Sequence, residues 1–193
     1  TSPNITFQTP TPNDGSRQIS NSVTINASVI DILLNIDSCI LQWNNTATIT
    51  NYTMTKIGTG QNVYCNYTLA TVDGTNYTYK IYANDTINNL GNSSTRSFKE
   101  NTAPTVPTSV TITPASPYSN DTLTCTGTGS TDGDSDSLNY YYQFNDTDGS
   151  ILQDYSTTNT FNCGSSAQCI KNDNISCNVK AYDSYEYSSI NNT

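Results

Sequence analysis

The sequence predicts an all-β protein made of two tandem β-sandwiches, over residues 1–101 and 102–193. Three observations carry this. Apolar residues recur at every second position in short runs: Cys39, Leu41 and Trp43; Val63, Cys65, Tyr67 and Leu69; Tyr77, Tyr79, Ile81 and Ala83. Successive side chains of a strand point to opposite faces, so each set marks one core-facing row. A cysteine sits on two of these rows, as a bond closing a sandwich requires. The pattern then stops at the proline-bearing stretch 101–107 and starts again beyond it.

The elements follow in order. NITFQ (4–8) alternates with Ile5 and Phe7 in phase, and TPTPNDG breaks it. NSVTINASVI (21–30) turns Val23, Ile25, Ala27 and Val29 inward and Thr24, Asn26 and Ser28 outward. SCILQW (38–43), a weaker YTMTKI (52–57), VYCNYTL (63–69), YTYKIYAND (77–85) and SSTRSFK (93–99) complete the first half. Seven short strands in about 100 residues is the count of an immunoglobulin-like or fibronectin-like sandwich. The linker NTAPTVP (101–107) holds two prolines, which make it stiff.

Beyond the linker, SVTIT (109–113) repeats the first strand, and PASP answers TPTP. TLTCTG (122–127) places Leu123 and Cys125 inward. LNYYYQF (138–144) puts Leu138, Tyr140, Tyr142 and Phe144 on one row and leaves Tyr141 outside. NISCNVKAYD (174–183) answers the sixth strand, with Ala181-Tyr182-Asp183 against Ala83-Asn84-Asp85. Two divergent copies of one fold account for this. The chain ends, joined as NNTTSPN, are close to the junction ENTAPTVP, as a cut through a longer array would be. A mature product and an excised piece both fit.

Composition narrows the function. Net charge is −9 with seven Lys and Arg and no basic run. Nucleic-acid binding needs phosphate-neutralising cations, and docking on an anionic membrane needs them too. Neither is expected. With 26 Asn, 23 Ser and 32 Thr the surface is polar but uncharged, while 14 Tyr set the chain apart from disordered sequences. Six cysteines lie at wide spacings with no histidine in the chain, which reads as disulfides in an oxidising compartment rather than a zinc site. No run approaches the roughly 18 apolar residues of a membrane span.

Catalysis is not expected. Without histidine there is no Ser-His-Asp or Cys-His arrangement. Glu100 and Glu186 are the only glutamates, no pair of carboxylates is marked as acid and nucleophile, and Gly127 and Gly129 lie outside any phosphate-loop context.

These residues support a family statement. DGTNYTYKIYAND (73–85) resembles the sixth strand of fibronectin type III sandwiches, where an inward tyrosine follows a Gly-Thr turn. Tyr77 would be that tyrosine, its hydroxyl bonded back to backbone. SCILQW, YCNYTLATVDGTNYTYKIYANDT and LGNSSTRSF together resemble the immunoglobulin-like repeats of archaeal cell-surface proteins and extracellular filaments. TLTCTGTGSTDGDSDSLNYYYQF with NISCNVKAYD is similar to another repeat type of the same proteins, in which a second-strand cysteine faces one on the sixth. That implies an extracellular, cell-surface location and a Cys125–Cys177 bond. Cys39 and Cys65 are the only cysteines of the first half and are expected to pair. Of the three connectivities open to the other four, the resemblance favours the one that leaves Cys163 with Cys169.

Two further features suggest surface chemistry. The sequon N-x-[ST] occurs twelve times, at Asn4, Asn26, Asn44, Asn51, Asn66, Asn76, Asn84, Asn92, Asn120, Asn145, Asn174 and Asn191. Composition alone gives about seven, so N-linked glycans are expected. The strand sequons Asn4, Asn26, Asn66, Asn76 and Asn174 fall on outward parity. Asp132, Asp134 and Asp136 form D-x-D-x-D, a possible calcium loop with Asp146 and Asp148 as helpers. An EF-hand pattern fails, because its sixth and twelfth positions fall on Ser137 and Gln143. No other cofactor is expected.

The reading is a structural unit of a glycosylated archaeal surface filament. It is expected to self-associate, with strand donation through residues 1–8 or 186–193 as the candidate route. An adhesin module binding a glycan or another cell, and a non-catalytic appendage of a secreted hydrolase, are the alternatives.

Overall fold

The computed structural model describes residues 1–45, 48–146, 148–165, 169 and 174–193. The chain divides into two compact units, Thr1–Asn101 and Thr102–Thr193.

The first unit contains β1 (Asn4–Gln8), β2 (Ser16–Gln18), β3 (Ser22–Ile30), β4 (Ile36–Asn44), β5 (Ile49–Thr53), β6 (Thr55–Ile57), β7 (Asn62–Ala70), β8 (Asn76–Asp85), β9 (Leu90–Asn92) and β10 (Arg96–Glu100). One sheet has the order β1-β3-β7-β6, the other β2-β10-β8-β4-β5 with β9 paired to β8. The alternation in the sequence decides which faces meet. Val23, Ile25, Ala27 and Val29 of one sheet are buried with Cys39, Leu41, Trp43, Tyr77, Tyr79, Ile81, Ala83 and Phe98 of the other. Trp43 lies 4.9 Å from Tyr77 and 5.8 Å from Phe98, ring centre to ring centre. The Tyr77 hydroxyl accepts the Val72 N–H at 2.9 Å, and that of Tyr79 donates to the Pro12 carbonyl. Both buried phenols therefore have partners, as burial demands.

Several expectations for this unit need correction. Among the described residues there are ten strands rather than seven. YTMTKI is not one strand, because the chain crosses between sheets at Met54. β5 pairs β4, β6 pairs β7, and the Met54 N–H goes to the Cys39 carbonyl. Met54 is buried, so the crossing is fixed by packing that local alternation does not encode. SSTRSFK is strand only from Arg96. Ser93 instead turns its hydroxyl to the Ile81 N–H, and LGN before it forms β9. β2 pairs β10 in parallel and carries no apolar alternation at all.

The second unit contains β11 (Ser109–Thr113), β12 (Thr122–Thr128), β13 (Asn139–Asn145), β14 (Ile151–Ser156), β15 (Thr160–Asn162), a 3-10 turn (Cys163–Ser165), β16 (Ser176–Tyr182) and β17 (Asn191–Asn192). The sheets are β11-β12-β15 and β14-β13-β16-β17. The core is Leu123, Cys125, Tyr142, Phe144, Cys163, Cys177 and Val179. It is smaller than the core of the first unit. Gly127 permits its closest approach, for a Cβ there would overlap the Val179 side chain. Leu138 lies outside β13 and is only half-buried, so the expected inward row begins at Tyr140.

Residues 102–108 are not a free linker. The N–H groups of Thr105 and Thr108 donate to the carbonyls of Thr131 and Thr128, and that of Thr102 to Asp134 Oδ2. The segments expected to be donated are also in use. β1 pairs β3 along its whole length, and β17 pairs β16.

Candidate functional site

The three cysteine pairs are disulfides. Cys39–Cys65 joins β4 to β7, Cys125–Cys177 joins β12 to β16, and Cys163–Cys169 closes a short loop, with Cα separations of 6.4, 6.3 and 5.4 Å. Both wide bonds run from one sheet to the other through the core. The interior of the short loop, residues 166–168, lies outside the described residues.

The carboxylates converge where the sequence suggested. Asp132, Asp134 and Asp136 bring one oxygen each to within 4.8 Å of one another. The loop between β12 and β13 does this through an Asx turn. Asp132 Oδ1 accepts the N–H groups of Asp134 (2.8 Å) and Asp136 (3.0 Å), which folds the alternate residues back toward it. Asp132 Oδ2 is shut from solvent and has no donor among the described residues. A buried carboxylate oxygen without a donor suits a cation, and an all-carboxylate set suits a hard one such as calcium. Charge favours the same sign: the second unit has ten Asp and Glu against two Lys and Arg, the first six against five. The expected helpers are elsewhere. Asp146 and Asp148 follow β13, a strand about 20 Å long, and Asp146 is spent on the N–H groups of Asp148 and Ser150.

Other aspartates, which the sequence reading did not single out, organise the loop tips. Asp85 is buried at the end of β8. Its Oδ1 accepts the N–H groups of Ile87 and Asn89, both at 2.9 Å, and Oδ2 accepts Asn89 Nδ2 at 2.7 Å. Burial acts to raise its pKa, but the hydrogen bonds from Asn89 and Ile87 hold it below the ordinary value of 3.8. Asp31, buried after β3, accepts the N–H groups of Leu33 and Leu34 and is held low chiefly by the Leu33 bond. Asp183 does for the second unit what Asp85 does for the first, through the N–H groups of Tyr185 and Glu186. The available signal is an aspartate that ends a strand, Asp85, or directly follows one, Asp31 and Asp183.

None of the twelve sequon asparagines is buried. Asn4, Asn51, Asn76, Asn92, Asn120 and Asn174 are exposed, while Asn26, Asn44, Asn66, Asn84, Asn145 and Asn191 are half-buried. Asn174 precedes β16 rather than lying in it. Asn26 and Asn66 are direct cross-strand neighbours.

Tyr141 is not alone outside. Its ring meets Tyr182 and Tyr187 edge-on, Tyr182 and Tyr187 stack at 4.4 Å, and Lys180 Nζ sits 3.9 Å from the Tyr187 ring centre and 4.0 Å from that of Tyr155. These rings are packed against one another and the ammonium, which makes them a small outer core rather than an open stacking platform.

No protein-family model and no curated protein matches this sequence. Among solved structures, consecutive domains of titin are similar over the whole chain, at TM-score 0.59 and 12% identity, and the chain spans 66% of that structure. The fibronectin(III)-like modules of Clostridium thermocellum CbhA align with 97% of this chain and 90% of theirs, at TM-score 0.43 and 17% identity. Domains of chicken contactin align with 95% and 65%, at TM-score 0.47 and 15% identity. The fold is an all-β, immunoglobulin-like one. At such identities the likeness is one of fold.

Proposed function

We propose that this chain is a structural unit of a glycosylated extracellular filament, of the archaeal surface type that its sequence resembles. The observation that carries the reading is the pairing of all six cysteines, across two sandwich cores and one loop. Bonds of this kind persist outside the cell and fasten small cores against unfolding. Twelve sequon asparagines with no buried member agree with it, since glycans supply the hydration that so few surface charges do not. Residues 1–8 and 186–193 are paired inside their own units, so assembly through them requires an exchange that empties those places.

The same reading includes a calcium ion held by Asp132, Asp134 and Asp136, favoured by the unpartnered Asp132 Oδ2. Its part is to lock the loop before β13. Negative-stain microscopy of protein from its source, beside intact mass before and after deglycosylation, tests the main reading. Polymers and a mass that falls on deglycosylation are expected. Isolated monomers with twelve unmodified asparagines overturn it.

A further inference from the structure

The sequons differ in what stands beside them. Residues two apart on a strand share a face, and two residues of strand span roughly 6.6 Å. Two sequons have a tyrosine two residues before the asparagine on the same strand: Tyr64 before Asn66 on β7, and Tyr82 before Asn84 on β8. Both pairs face away from the core, because Val63, Cys65, Ile81 and Ala83 are the buried members of those strands. Tyr64 is 50% exposed and Tyr82 is half-buried.

Asn84 also lines a groove of about 270 Å³ on the outer face of β4, β8 and β9, together with Ser38, Ile40, Tyr82, Asn88 and Leu90. Register explains the lining. Asn84 stands between Ser38 of β4 and Leu90 of β9, and Tyr82 stands opposite Ile40. The Asn84 amide is oriented: Oδ1 accepts the Ser38 hydroxyl, and Nδ2 donates to Asn88 Oδ1 at 3.3 Å. Ile40, Tyr82 and Leu90 give the groove apolar walls, while Ser38 and Asn88 add a hydroxyl and an amide. A pyranose ring has the same two characters, C–H faces and a hydroxyl rim. An aromatic face with a few placed polar groups is what a small-ligand site offers.

We propose that the first sugar of an N-linked glycan on Asn84 folds back over the Tyr82 ring and fills this groove, and that the first sugar on Asn66 lies on Tyr64 in the same way. The proposal rests on the glycosylated reading above and names what the glycan binds. The attachment point argues for this occupant, because the acceptor nitrogen is itself part of the groove wall. Transfer from a lipid-linked glycosyl phosphate joins Nδ2 to the anomeric carbon. The phosphate leaves with the bonding electron pair, and the amide gives one of its two protons to the medium. The other proton stays available to Asn88 Oδ1, and Ser38 still holds Oδ1, so the linkage is already oriented when the sugar arrives. Lys80, two residues before Tyr82, sets its ammonium 5.2 Å from the ring centre and steadies the ring. Sugar laid on Tyr82, Ile40 and Leu90 takes apolar surface out of water, which makes the glycan a part of the fold as well as a coat.

A four-way comparison on the full chain, made in its source or in a glycosylating host, tests this. Thr86 is exposed and its tie to the Asn35 carbonyl runs through backbone, so T86A removes the acceptor signal while Asn84 and its groove stay as they are. Peptide mass spectrometry reads occupancy at Asn66 and Asn84, and Trp43 fluorescence reads melting of the first unit. Both asparagines should be modified. T86A should lower the melting temperature by roughly 4–8 °C, the shift that one well-made contact gives a domain of about 100 residues. In a Y82A background the same loss of glycan should move it by under about 2 °C, the scatter of uncoupled pairs. Y82F keeps the ring and should restore the full shift, which preserves the test if Y82A folds poorly. Y64A with N66Q should repeat the pattern on β7. An Asn84 glycan that stabilises Y82A as much as the wild type overturns the inference and leaves the glycosylated reading standing. So does an Asn84 left bare beside modified sequons elsewhere. Twelve unmodified asparagines would remove both.

Discussion

Removing the Cys125–Cys177 bond should cost the second unit more than removing either other bond costs its own unit. The bond spans 52 residues of sequence, against 26 for Cys39–Cys65 and 6 for Cys163–Cys169. Loop-closure entropy in the unfolded chain then gives about 4, 3.5 and 2.4 kcal/mol respectively. Both Cys125 and Cys177 are fully buried, so alanine is the right replacement, since serine would add a hydroxyl to an apolar core. A unit of this size is stable by about 5–14 kcal/mol, so C125A/C177A removes a large part of the whole. With a urea slope near 1.3 kcal/mol/M, the midpoint should fall by about 3 M. The two units can be read separately, because the one tryptophan, Trp43, lies in the first. Tryptophan fluorescence should keep its midpoint while tyrosine emission and far-UV circular dichroism acquire an early transition. A loss under about 1 kcal/mol, or a Trp43 transition that moves with the other, would refute both the entropic ranking and the independence of the cores.

Three further outcomes follow from particular side chains. Calcium at millimolar concentration should raise the melting temperature of the second unit, and D132N should abolish the rise with little effect on apo stability; equal shifts in both proteins would remove the site. G127A should destabilise by about 1–3 kcal/mol through overlap with Val179, and V179A should relieve it in the double variant, measured by urea titration. Acid should unfold the first unit early. The depressed pKa values of Asp31 and Asp85 mean that their stabilisation is present above the ordinary 3.8 and is lost as pH falls through the folded values, so Trp43 fluorescence should report unfolding below that point, and less steeply in D85N. At the alkaline end Tyr79, pushed up to about 12 by burial, adds stability that disappears as pH rises from 10 toward 12.

The core was legible because both faces of each sandwich have period two. Val23 to Val29 and Tyr77 to Ala83 alternate without interruption, and every inward member is buried. The missed elements are those whose pairing comes from elsewhere in the chain. β2 exists because Phe98, Lys99 and Glu100 present an open edge to Ser16, Arg17 and Gln18. β14 passes through register shifts against β13, which blur any alternation in ILQDYS. At Met54 one residue reaches the core while its flanks belong to different sheets, a geometry that YTMTKI does not announce. The carboxylate triad could be found from its spacing, whereas its Asx turn, and the role of Asp31 and Asp85, depend on which backbone N–H groups the folded loops leave without a partner.

Asp85 and Asp183 show where the two copies keep a common plan and where they part. Each is buried two residues after an inward alanine, Ala83 or Ala181, with one outward residue between, and each takes the N–H groups of the turn that follows. Because the aspartate holds the turn chiefly through backbone N–H groups, with Asn89 Nδ2 as a side-chain donor to Asp85, the other side chains of the turn are released from holding it together and are free to vary. In the first unit they are Ile87 and, across the β9 hairpin, Leu90; in the second they are Tyr185 and Glu186. The partner loop varies in step, Ile32 and Leu33 against the Asp132–Asp134–Asp136 triad. A fold that fixes its loops through buried aspartates can therefore put an apolar tip on one copy and a tip of converging carboxylates on the other without altering its core. Differences of function between the two units should lie at these tips, and exchanging the 31–35 loop with 132–136 should transfer calcium binding while leaving both disulfide-closed cores intact.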